Sequence, residues 1–426
     1  MHPCENWAAM GLFAVVALAL NSFYLRYSLP LVEDTEVLFG AALNGQFEFF
    51  KEYAGYIAIP PRVFCLICQV LPVMLIPKAY VFIATMCNAL CAMSFYLQMA
   101  HWMRCSRRSA VAFSLLYLFM SSGCITSYNL MYCIWPLSLA AINLSLILPQ
   151  LKGWRWWALA ALIVFAGISS NPLCVILPAG AAVYAVMECA RANWKNAARY
   201  AFFAVIQIVV LLAIIESPPV TVLTYTDVVK RAVDAMYLIL ARVISPVSGA
   251  IHPLDLQFVF LTSGFALGFL FVMLSKDRSR HIQYYIFAAI ICVFTFLLCL
   301  TNRYNIYYPE MMHDAARGNR YVYIQFFLFL ELLWIAILLI RKSLPRYAVL
   351  ALFVAHLCGP ILYYPALVQT YGELDYNGGD DWIDRSNRYN DVLESYVRRI
   401  NQNGEASEFY LSGYWRDRVY KLVKKD

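Results

Sequence analysis

The sequence contains few charged residues. Only 14% of its 426 residues are Asp, Glu, Lys or Arg, whereas 62% are apolar, and a soluble domain usually carries about 25% charged residues. The mean hydropathy of +0.62 agrees with this imbalance. The composition excludes a disordered chain, a collagen, a coiled coil and a small disulfide scaffold, and it argues strongly against a soluble enzyme. We therefore predict a polytopic membrane protein.

The sequence also lacks the motifs of several enzyme classes. It contains no Gly-rich phosphate loop, HExxH motif, nucleophile elbow or paired CxxC. Cys65 and Cys68 form a single CxxC inside an apolar stretch, and most of the 13 cysteines lie in or beside apolar runs, where they behave as small hydrophobic residues. The N-terminus has no basic region and no cleavage site, so we expect the first apolar run to be retained as a span.

Eleven apolar runs have the composition of membrane spans. A further run, Ile57–Ile76, contains three prolines and an arginine, features that suit a helix lying at the membrane interface. We predict an all-α polytopic membrane protein of about 11 transmembrane helices, with juxtamembrane helices on the outer face and a small soluble C-terminal cap. The predicted spans are Ala8–Tyr24, Ala79–Ala100, Ala110–Cys124, Leu130–Leu148, Trp156–Ser170, Leu173–Met187, Tyr200–Ile215, Leu256–Leu274, Ile282–Leu300, Tyr321–Ile340 and Tyr347–Tyr364.

The basic residues set the predicted orientation. If Ile57–Ile76 does not cross, five short loops hold 14 Lys or Arg in 40 residues, whereas the much longer opposite loops before the tail hold ten. Because cytoplasmic loops are enriched in Lys and Arg, we predict a cytoplasmic N-terminus and a periplasmic C-terminus. The same placement argues against a nucleic-acid partner despite the net charge of +7. The five loops are His101–Ser109, Gln150–Arg155, Glu188–Arg199, Ser275–His281 and Arg341–Arg346.

The predicted outer face is unusually large. We expect a transmembrane domain over residues 1–364, whose outer loops cover 28–78, 217–253 and 302–320. Residues 365–426 form a C-terminal segment outside the membrane, which holds 20 of the 59 charged residues of the chain. The cytoplasmic loops are too short to hold a nucleotide-sugar domain, so a sugar donor would have to arrive as a lipid.

The first outer loop opens with an acidic cluster, Glu33, Asp34 and Glu36. One interpretation is structural: Asp34 or Thr35 caps a following helix, with Glu36 in its first turn. The other is chemical: a carboxylate at the membrane surface acts as a general base toward an acceptor hydroxyl. Both interpretations remain open on the sequence.

A second group of ionisable residues lies in a later outer loop: His313, Arg317 and Arg320. Arginine offers a planar fork of donors matched to phosphate oxygens. Fixed cations at the membrane boundary are suited to hold a lipid-linked phosphate while negative charge grows on it during transfer. Alternatively, these side chains extend to lipid headgroups or pair with acidic neighbours. Lys230 and Arg231 form another possible phosphate site.

The order of these features resembles the order found in the GT-C superfamily of membrane glycosyltransferases. The resemblance rests on the acidic pair in the first outer loop, the Pro60-Pro61 start of a juxtamembrane helix bearing Arg62, and a span that ends in a basic cytoplasmic loop. In addition, Gly318-Asn319-Arg320-Tyr321 is similar to the Gly-x-Arg-Tyr-Phe segment of bacterial members resembling serotype-converting glucosyltransferases. The sequence departs from that pattern at Gln325, where a proline often follows.

The resemblance implies a multi-pass enzyme of the bacterial inner membrane. It would move a monosaccharide from a polyprenyl-phosphate donor to a surface glycan, a lipid-linked glycan or a protein, with inversion at the anomeric carbon. No cofactor is required, and no metal is demanded, since arginine can supply the charge of a divalent ion. The implied catalytic residues are Asp34 and Glu33, and the implied substrate-binding residues are Arg320, Arg317, His313, Arg62, Lys230, Arg231 and Tyr321.

Two ionisable residues lie deep inside predicted spans, Glu331 and His356. They are interpreted either as a structural pair or as a proton relay. The relay would fit a different function, a transporter or flippase of a lipid-linked glycan. A transporter is expected to carry mid-membrane polar residues on several spans and often paired halves, and this sequence shows neither. A third hypothesis is a non-catalytic assembly subunit.

Overall fold

The computed structural model forms two compact units, the first made of residues 1–217 with 375–426 and the second of residues 218–374. The residues that the structure describes are 3–28, 38, 49–50, 57–122, 125–169, 174, 176–214, 225–245, 256–274, 315–341, 343–373, 386–387, 389–391, 393–395, 397–398, 408–412 and 417–421.

Helices make up most of the described part of the first unit. Short 3-10 or π turns continue several of them. The α-helices are α1 (Pro3–Leu20), α2 (Ser22–Arg26), α3 (Ile59–Cys68), α4 (Ile76–Leu97), α5 (Arg107–Ser121), α6 (Ile134–Ile147), α7 (Trp154–Ile163), α8 (Ile176–Ala190) and α9 (Trp194–Ile214).

Local sequence explains several helix starts. Prolines occupy the first turns of α3 and α4, where the missing N–H has no intrahelical partner in any case. Ser106 caps α5, because its hydroxyl accepts a hydrogen bond from the Ser109 N–H at 3.3 Å. Gly153 precedes α7 with a φ of +60°, a left-handed conformation that glycine adopts without strain.

Helices α4 and α6 form the centre of the first unit. They pack against each other; α1 and α5 pack on α4, and α7 packs on α6. Every residue of α6 except Ser145 is buried. Helices α8 and α9 form an adjacent pair, joined by a short turn, as expected for antiparallel neighbours.

Three helical stretches in the described part of the chain are long and apolar enough to cross a bilayer. They are residues Val73–Trp102, Met131–Gln150 and Trp194–Ile214. Further apolar helices of 10–17 residues accompany them. The structure therefore has the helical, apolar character of a membrane protein.

The second unit contains four described helices. A π turn, Ile239–Ile244, continues the first of them, and three of the four helices pack against that turn. Ser263 Oγ donates to the Leu240 carbonyl at 2.8 Å, so a hydroxyl of a neighbouring helix provides a hydrogen bond to a main-chain carbonyl of the π turn. The helices are α10 (Tyr225–Leu238), α11 (Leu256–Leu274), α12 (Ala315–Leu339) and α13 (Ser343–Glu373).

The C-terminal segment contains strands as well as helical residues. Helical residues lie between 386 and 398, and the Ser386 hydroxyl donates to the Ser28 carbonyl at 3.4 Å. Strands β1 (Glu408–Ser412) and β2 (Asp417–Lys421) pair antiparallel. The described residues are mostly helical, as predicted, and this strand pair is an exception to the all-α prediction.

Two predicted boundaries differ from the structure. The run Ile57–Ile76 is not one helix, since α3 ends at Cys68 and α4 begins at Ile76; Pro72 lies between them and has no N–H to continue a helix. Helix α13 extends to Glu373, beyond the end of the predicted span Tyr347–Tyr364. The helix therefore continues past the end of its apolar run.

Candidate functional site

Helix α3, which carries the Pro60-Pro61-Arg62 motif, is fixed to the ends of two apolar helical segments. The Ile57 N–H donates to the Ile214 carbonyl at 2.9 Å, and the Ile59 N–H donates to the Ser169 carbonyl at 3.0 Å. The Phe64 ring packs edge-on against Phe165, with ring centroids 6.0 Å apart. These contacts hold the first turn of α3 in one place.

Arg62 is the predicted substrate-binding residue whose side chain lies deepest among those the structure describes. It is 1% exposed. Burial lowers the pKa of its guanidinium, but an arginine stays protonated in proteins. A buried cation is costly unless it meets opposite charge or hydrogen-bond acceptors.

Both cysteines of the nearby CxxC are buried. The Tyr80 hydroxyl donates to Cys65 Sγ at 3.2 Å. Burial, followed by the nearby Cys65, raises the pKa of the Cys68 thiol to about 11, so the thiolate needed for metal binding or redox chemistry is scarce at neutral pH. Within the described residues, no cluster of three His, Cys, Asp or Glu is placed to hold a metal ion.

An apolar groove of about 400 Å³ lies at the start of α3. It runs between α7 with its following π turn, Val164–Ile168, and α9. Nine of its ten lining residues are apolar. They are Ile59, Trp157, Ala160, Ala161, Val164, Phe165, Phe203, Ile206 and Val210, and Ser169 is the tenth.

The π turn shapes the groove floor. The Ser169 N–H donates to the Val164 carbonyl at 3.1 Å, the i to i−5 bond that widens a helix, and the Ser169 hydroxyl donates to the Phe165 carbonyl at 2.6 Å. On the opposite side, Gly167 lies so close to α6 that an added Cβ would come within 2.9 Å of the Ala141 Cβ. Only glycine allows this approach.

A buried polar network ties a 3-10 turn, Ile125–Ser127, into the helices of the first unit. Ser127 Oγ donates to Asn21 Oδ1 at 3.0 Å. Asn88 Nδ2 donates to the Thr126 carbonyl at 3.1 Å, and the Tyr117 hydroxyl donates to Asn88 Oδ1 at 3.0 Å. The turn is thus held by Asn21, which lies between α1 and α2, and by Asn88 of α4, whose amide is in turn bonded to Tyr117 of α5.

Aromatic residues after α5 serve packing. The Tyr128 ring stacks on Tyr24 with centroids 4.0 Å apart, and Tyr132 and Trp135 are buried. Ring stacking and burial within the first unit therefore account for these side chains.

The remaining predicted site residues fall into three groups. Glu33, Asp34 and His313 lie outside the described residues. Arg317, Arg320 and Tyr321 belong to the first two turns of α12. Lys230 and Arg231 lie on α10, where Lys230 is exposed and Arg231 is half-buried.

His356 and Glu331 are both buried in the second unit. The His356 Nδ1 lies 2.8 Å from the Leu352 carbonyl, and its Nε2 lies 3.1 Å from the Ile244 carbonyl. The ring nitrogens thus contact main-chain oxygens rather than the Glu331 carboxylate, with which one of the two interpretations of the sequence paired His356. This links α13 to the π turn after α10.

The groove residues were not identified from the sequence. Their only sequence signal is the i, i+3, i+4, i+7 spacing of Trp157, Ala160, Ala161 and Val164, which marks one face of a helix with two small residues at its centre. The predicted span Trp156–Ser170 contained this face, but nothing in it indicated which helix lies opposite.

The chain matches no known protein family, and neither a curated protein nor a solved structure matches it.

Proposed function

We propose that this protein is a membrane glycosyltransferase that takes a monosaccharide from a polyprenyl-phosphate donor on the outer face of the membrane. The acceptor is a surface glycan, a lipid-linked glycan or a protein. The proposal includes 11 crossings, a cytoplasmic N-terminus, a periplasmic C-terminal segment and a location in the inner membrane. It rests on the resemblance to the GT-C superfamily together with the surroundings of α3.

The observation that supports the proposal most is the buried Arg62 on a helix that begins with two prolines. A buried cation beside an apolar groove suits a ligand with an anionic head and a hydrocarbon body. A polyprenyl-phosphate sugar has this chemistry. The acidic pair Glu33 and Asp34 precedes this helix in the same outer loop of the proposed topology.

The proposed mechanism needs one base and one phosphate-binding group. Asp34, or Glu33 beside it, takes the proton from the acceptor hydroxyl as its oxygen attacks the anomeric carbon. The bond between that carbon and the phosphate oxygen breaks, and polyprenyl phosphate leaves with the bonding electrons. Arg320, with Arg317 or His313, stabilises the leaving phosphate, whose charge is greater in the transition state than in the donor.

The charge distribution of the first unit supports the proposed orientation. Eight Lys or Arg lie in or next to the turns that precede α5, α7 and α9: Arg104, Arg107, Arg108, Lys152, Arg155, Arg191, Lys195 and Arg199. The connections that precede α6 and α8, residues 122–133 and 169–175, contain no charged residue. Consecutive antiparallel helices place these two sets of connections at opposite ends, so the basic set marks the cytoplasmic side.

The test is sugar transfer by single variants in reconstituted membranes. Asp34→Asn removes the base and is expected to slow transfer by about 10²-fold or more. Arg320→Ala is expected to slow it by about 10²-fold. Asp391→Asn and Arg341→Ala change the same residue types at exposed positions and are expected to transfer at the wild-type rate. If Asp34→Asn and Arg320→Ala both transfer at that rate and insert normally, the proposal is wrong.

A further inference from the structure

Two tryptophans at the starts of α7 and α9 are among the most exposed large apolar side chains described in the first unit. Trp154 and Trp194 are the first residues of these helices, and they are 75% and 69% exposed. Tryptophan is highly buried on average in soluble proteins, whereas in membrane proteins it is enriched where the hydrocarbon meets the headgroups. We therefore expect both side chains to lie at one boundary of a bilayer.

The two helix starts lie at the same end of the first unit. At the far end, two backbone N–H groups at the start of α3 donate to the Ser169 carbonyl, just after the π turn that continues α7, and to the Ile214 carbonyl, the last of α9. Near the starts, the Trp156 ring lies 5.6 Å from the Tyr200 ring. The two helical segments therefore run side by side in the same direction.

Three cations accompany the exposed tryptophans. Lys152 and Arg155 flank Trp154, and Lys195 follows Trp194. All three cations are exposed, and within the described residues none of them makes a hydrogen bond or an ion pair. Their charges are therefore available to a ligand.

The cations of the two helices lie close in depth. Trp156 and Tyr200 are in ring contact, Arg155 is one residue before the first of them, and Lys195 is five residues before the second. At 1.5 Å per residue, the two positions differ by about 6 Å along the helix axis. Long side chains such as these can cover that difference, so both can reach one headgroup.

The carboxylate at this end is already engaged. Residues 150–157 and 188–199 contain five Lys or Arg and a single acidic residue, Glu188. That carboxylate accepts hydrogen bonds from Arg191 at 3.1 Å and from Asn193 at 2.6 Å. The two segments thus carry a net positive charge, and basic clusters at the ends of membrane helices attract anionic lipid headgroups.

The exposed face of α9 continues from this basic end as apolar surface. Val205, Val209 and Leu212 are 55%, 59% and 72% exposed, and their spacing of four and three residues puts them on one face of the helix. An exposed apolar face on a helix long enough to span a bilayer fits lipid hydrocarbon. A two-chain lipid can therefore place its headgroup at the helix start and its acyl chains along this face.

We propose that the starts of α7 and α9 bind the headgroup of an anionic glycerophospholipid. Arg155 and Lys195 hold its phosphate, Arg155 with paired donors and Lys195 as a point charge, and its glycerol backbone lies at the level of Trp154 and Trp194. A zwitterionic lipid binds less tightly, because its ammonium group is repelled by the same cations. This site does not depend on sugar transfer, since none of its residues belongs to the proposed catalytic machinery.

Native mass spectrometry of the full-length protein in detergent tests the lipid preference. The probes are phosphatidylglycerol and phosphatidylcholine with the same acyl chains. Because each cation near the surface is worth about 1 kcal/mol toward an anionic lipid, the wild type is expected to bind phosphatidylglycerol at least tenfold more tightly. Equal affinities for the two lipids overturn the proposal without any variant.

Matched variants test whether the site is local. Arg155→Gln and Lys195→Gln are each expected to weaken phosphatidylglycerol binding about fivefold and to leave phosphatidylcholine binding unchanged. Arg108→Gln is the control: Arg108 is exposed and is the second residue of α5, as Arg155 is of α7, but the nearest tryptophan in sequence, Trp102, is only 8% exposed. It is expected to bind as the wild type does. Equal weakening by Arg108→Gln and Arg155→Gln would indicate general attraction to basic helix ends and contradict the proposal.

Fluorescence quenching locates the bound lipid. Liposomes of phosphatidylcholine receive increasing fractions of phosphatidylglycerol brominated near the glycerol, and bromine quenches a tryptophan that it contacts. The emission quenched at the lowest fractions is expected to disappear when Trp154→Phe and Trp194→Phe are combined. Trp7→Phe is the control, since Trp7 is 76% exposed but the chain has no Lys or Arg before Arg26. Loss of that emission in Trp7→Phe instead overturns the location.

Competition with a soluble anion separates a lipid site from a phosphate site. Inorganic phosphate is expected not to displace phosphatidylglycerol in the mass-spectrometric assay, because it lacks the acyl chains that contact the exposed face of α9. Displacement by inorganic phosphate would identify a site for soluble anions and overturn the assignment to a lipid.

Discussion

Helices α6 and α9 are both strongly apolar, but the first unit buries them to very different extents. The stretches that contain them, Met131–Gln150 and Trp194–Ile214, have mean hydropathies of 1.8 and 2.2. In the first, 94% of the most apolar window is buried inside the protein, and in the second only 33%. Hydropathy therefore identifies a span without saying whether protein or lipid surrounds it.

We infer different roles for the two helices from what surrounds each of them. Helix α6 contacts protein on all sides and approaches the Val164–Ile168 π turn closely through Ala141 and Gly167. Helix α9 has one buried side, one exposed side and a strip between them that lines the groove. We therefore expect α6 to contribute most to the stability of the unit, whereas α9 lines the groove.

Enlarging a small residue on each helix is expected to give the largest contrast. Ala140 on α6 is fully buried, whereas Ala201 on α9 is exposed. Ala140→Phe is expected to cost about 3 kcal/mol or more, because a packed core cannot accept a ring without strain. Ala201→Phe is expected to change stability by less than about 0.5 kcal/mol. Thermal unfolding in one detergent measures both; equal losses would mean that α6 is not the central helix.

A glycine pair tests the close contact behind α6. Gly167→Ala places a Cβ 2.9 Å from the Ala141 Cβ and is expected to cost about 1–3 kcal/mol. Gly180 on α8 has open space around its missing Cβ, so Gly180→Ala is expected to be neutral or to stabilise the helix by up to about 1 kcal/mol. The same thermal assay compares them, and an unchanged melting temperature for Gly167→Ala would contradict the tight packing.

Buried amides on the two helices are expected to differ least. On α6, Asn143 Nδ2 donates to Ser94 Oγ at 3.2 Å, so Asn143→Leu is expected to cost about 1 kcal/mol. On α9, Gln207 is fully buried, and within the described residues its amide has no hydrogen-bond partner. Gln207→Leu is therefore expected to be neutral or stabilising. A larger loss for Gln207→Leu than for Asn143→Leu would show that Gln207 binds a group of its own.

Where the structure describes a helix, the sequence predicted its presence better than its ends. The predicted run Tyr200–Ile215 corresponds to α9, which begins six residues earlier because Lys195 and Arg199 are compatible with a helix but not with an apolar run. The predicted span Trp156–Ser170 consists of α7 and a π turn. A π turn is defined by backbone hydrogen bonds from residue i to residue i−5, and no side-chain pattern predicts these bonds.

The candidate site was predictable only in part. Pro60 and Pro61 indicated the start of α3, because proline suits a first helical turn, and Arg62 was identified as a candidate from the same motif. The groove was not predictable, since its two walls come from segments some forty residues apart in the sequence. Hydrophobic patterning shows that a helix has an apolar face but not which helix packs against it.

Donor consumption in proteoliposomes tests the central claim most directly. The full-length protein is given polyprenyl-phosphate hexoses radiolabelled in the sugar, with cell-envelope glycans as acceptors and no nucleotide sugar. The account predicts that label moves to the acceptor while free polyprenyl phosphate appears in equal amount. Movement of the intact labelled lipid across the bilayer, with no free polyprenyl phosphate formed, would contradict it and identify a flippase instead.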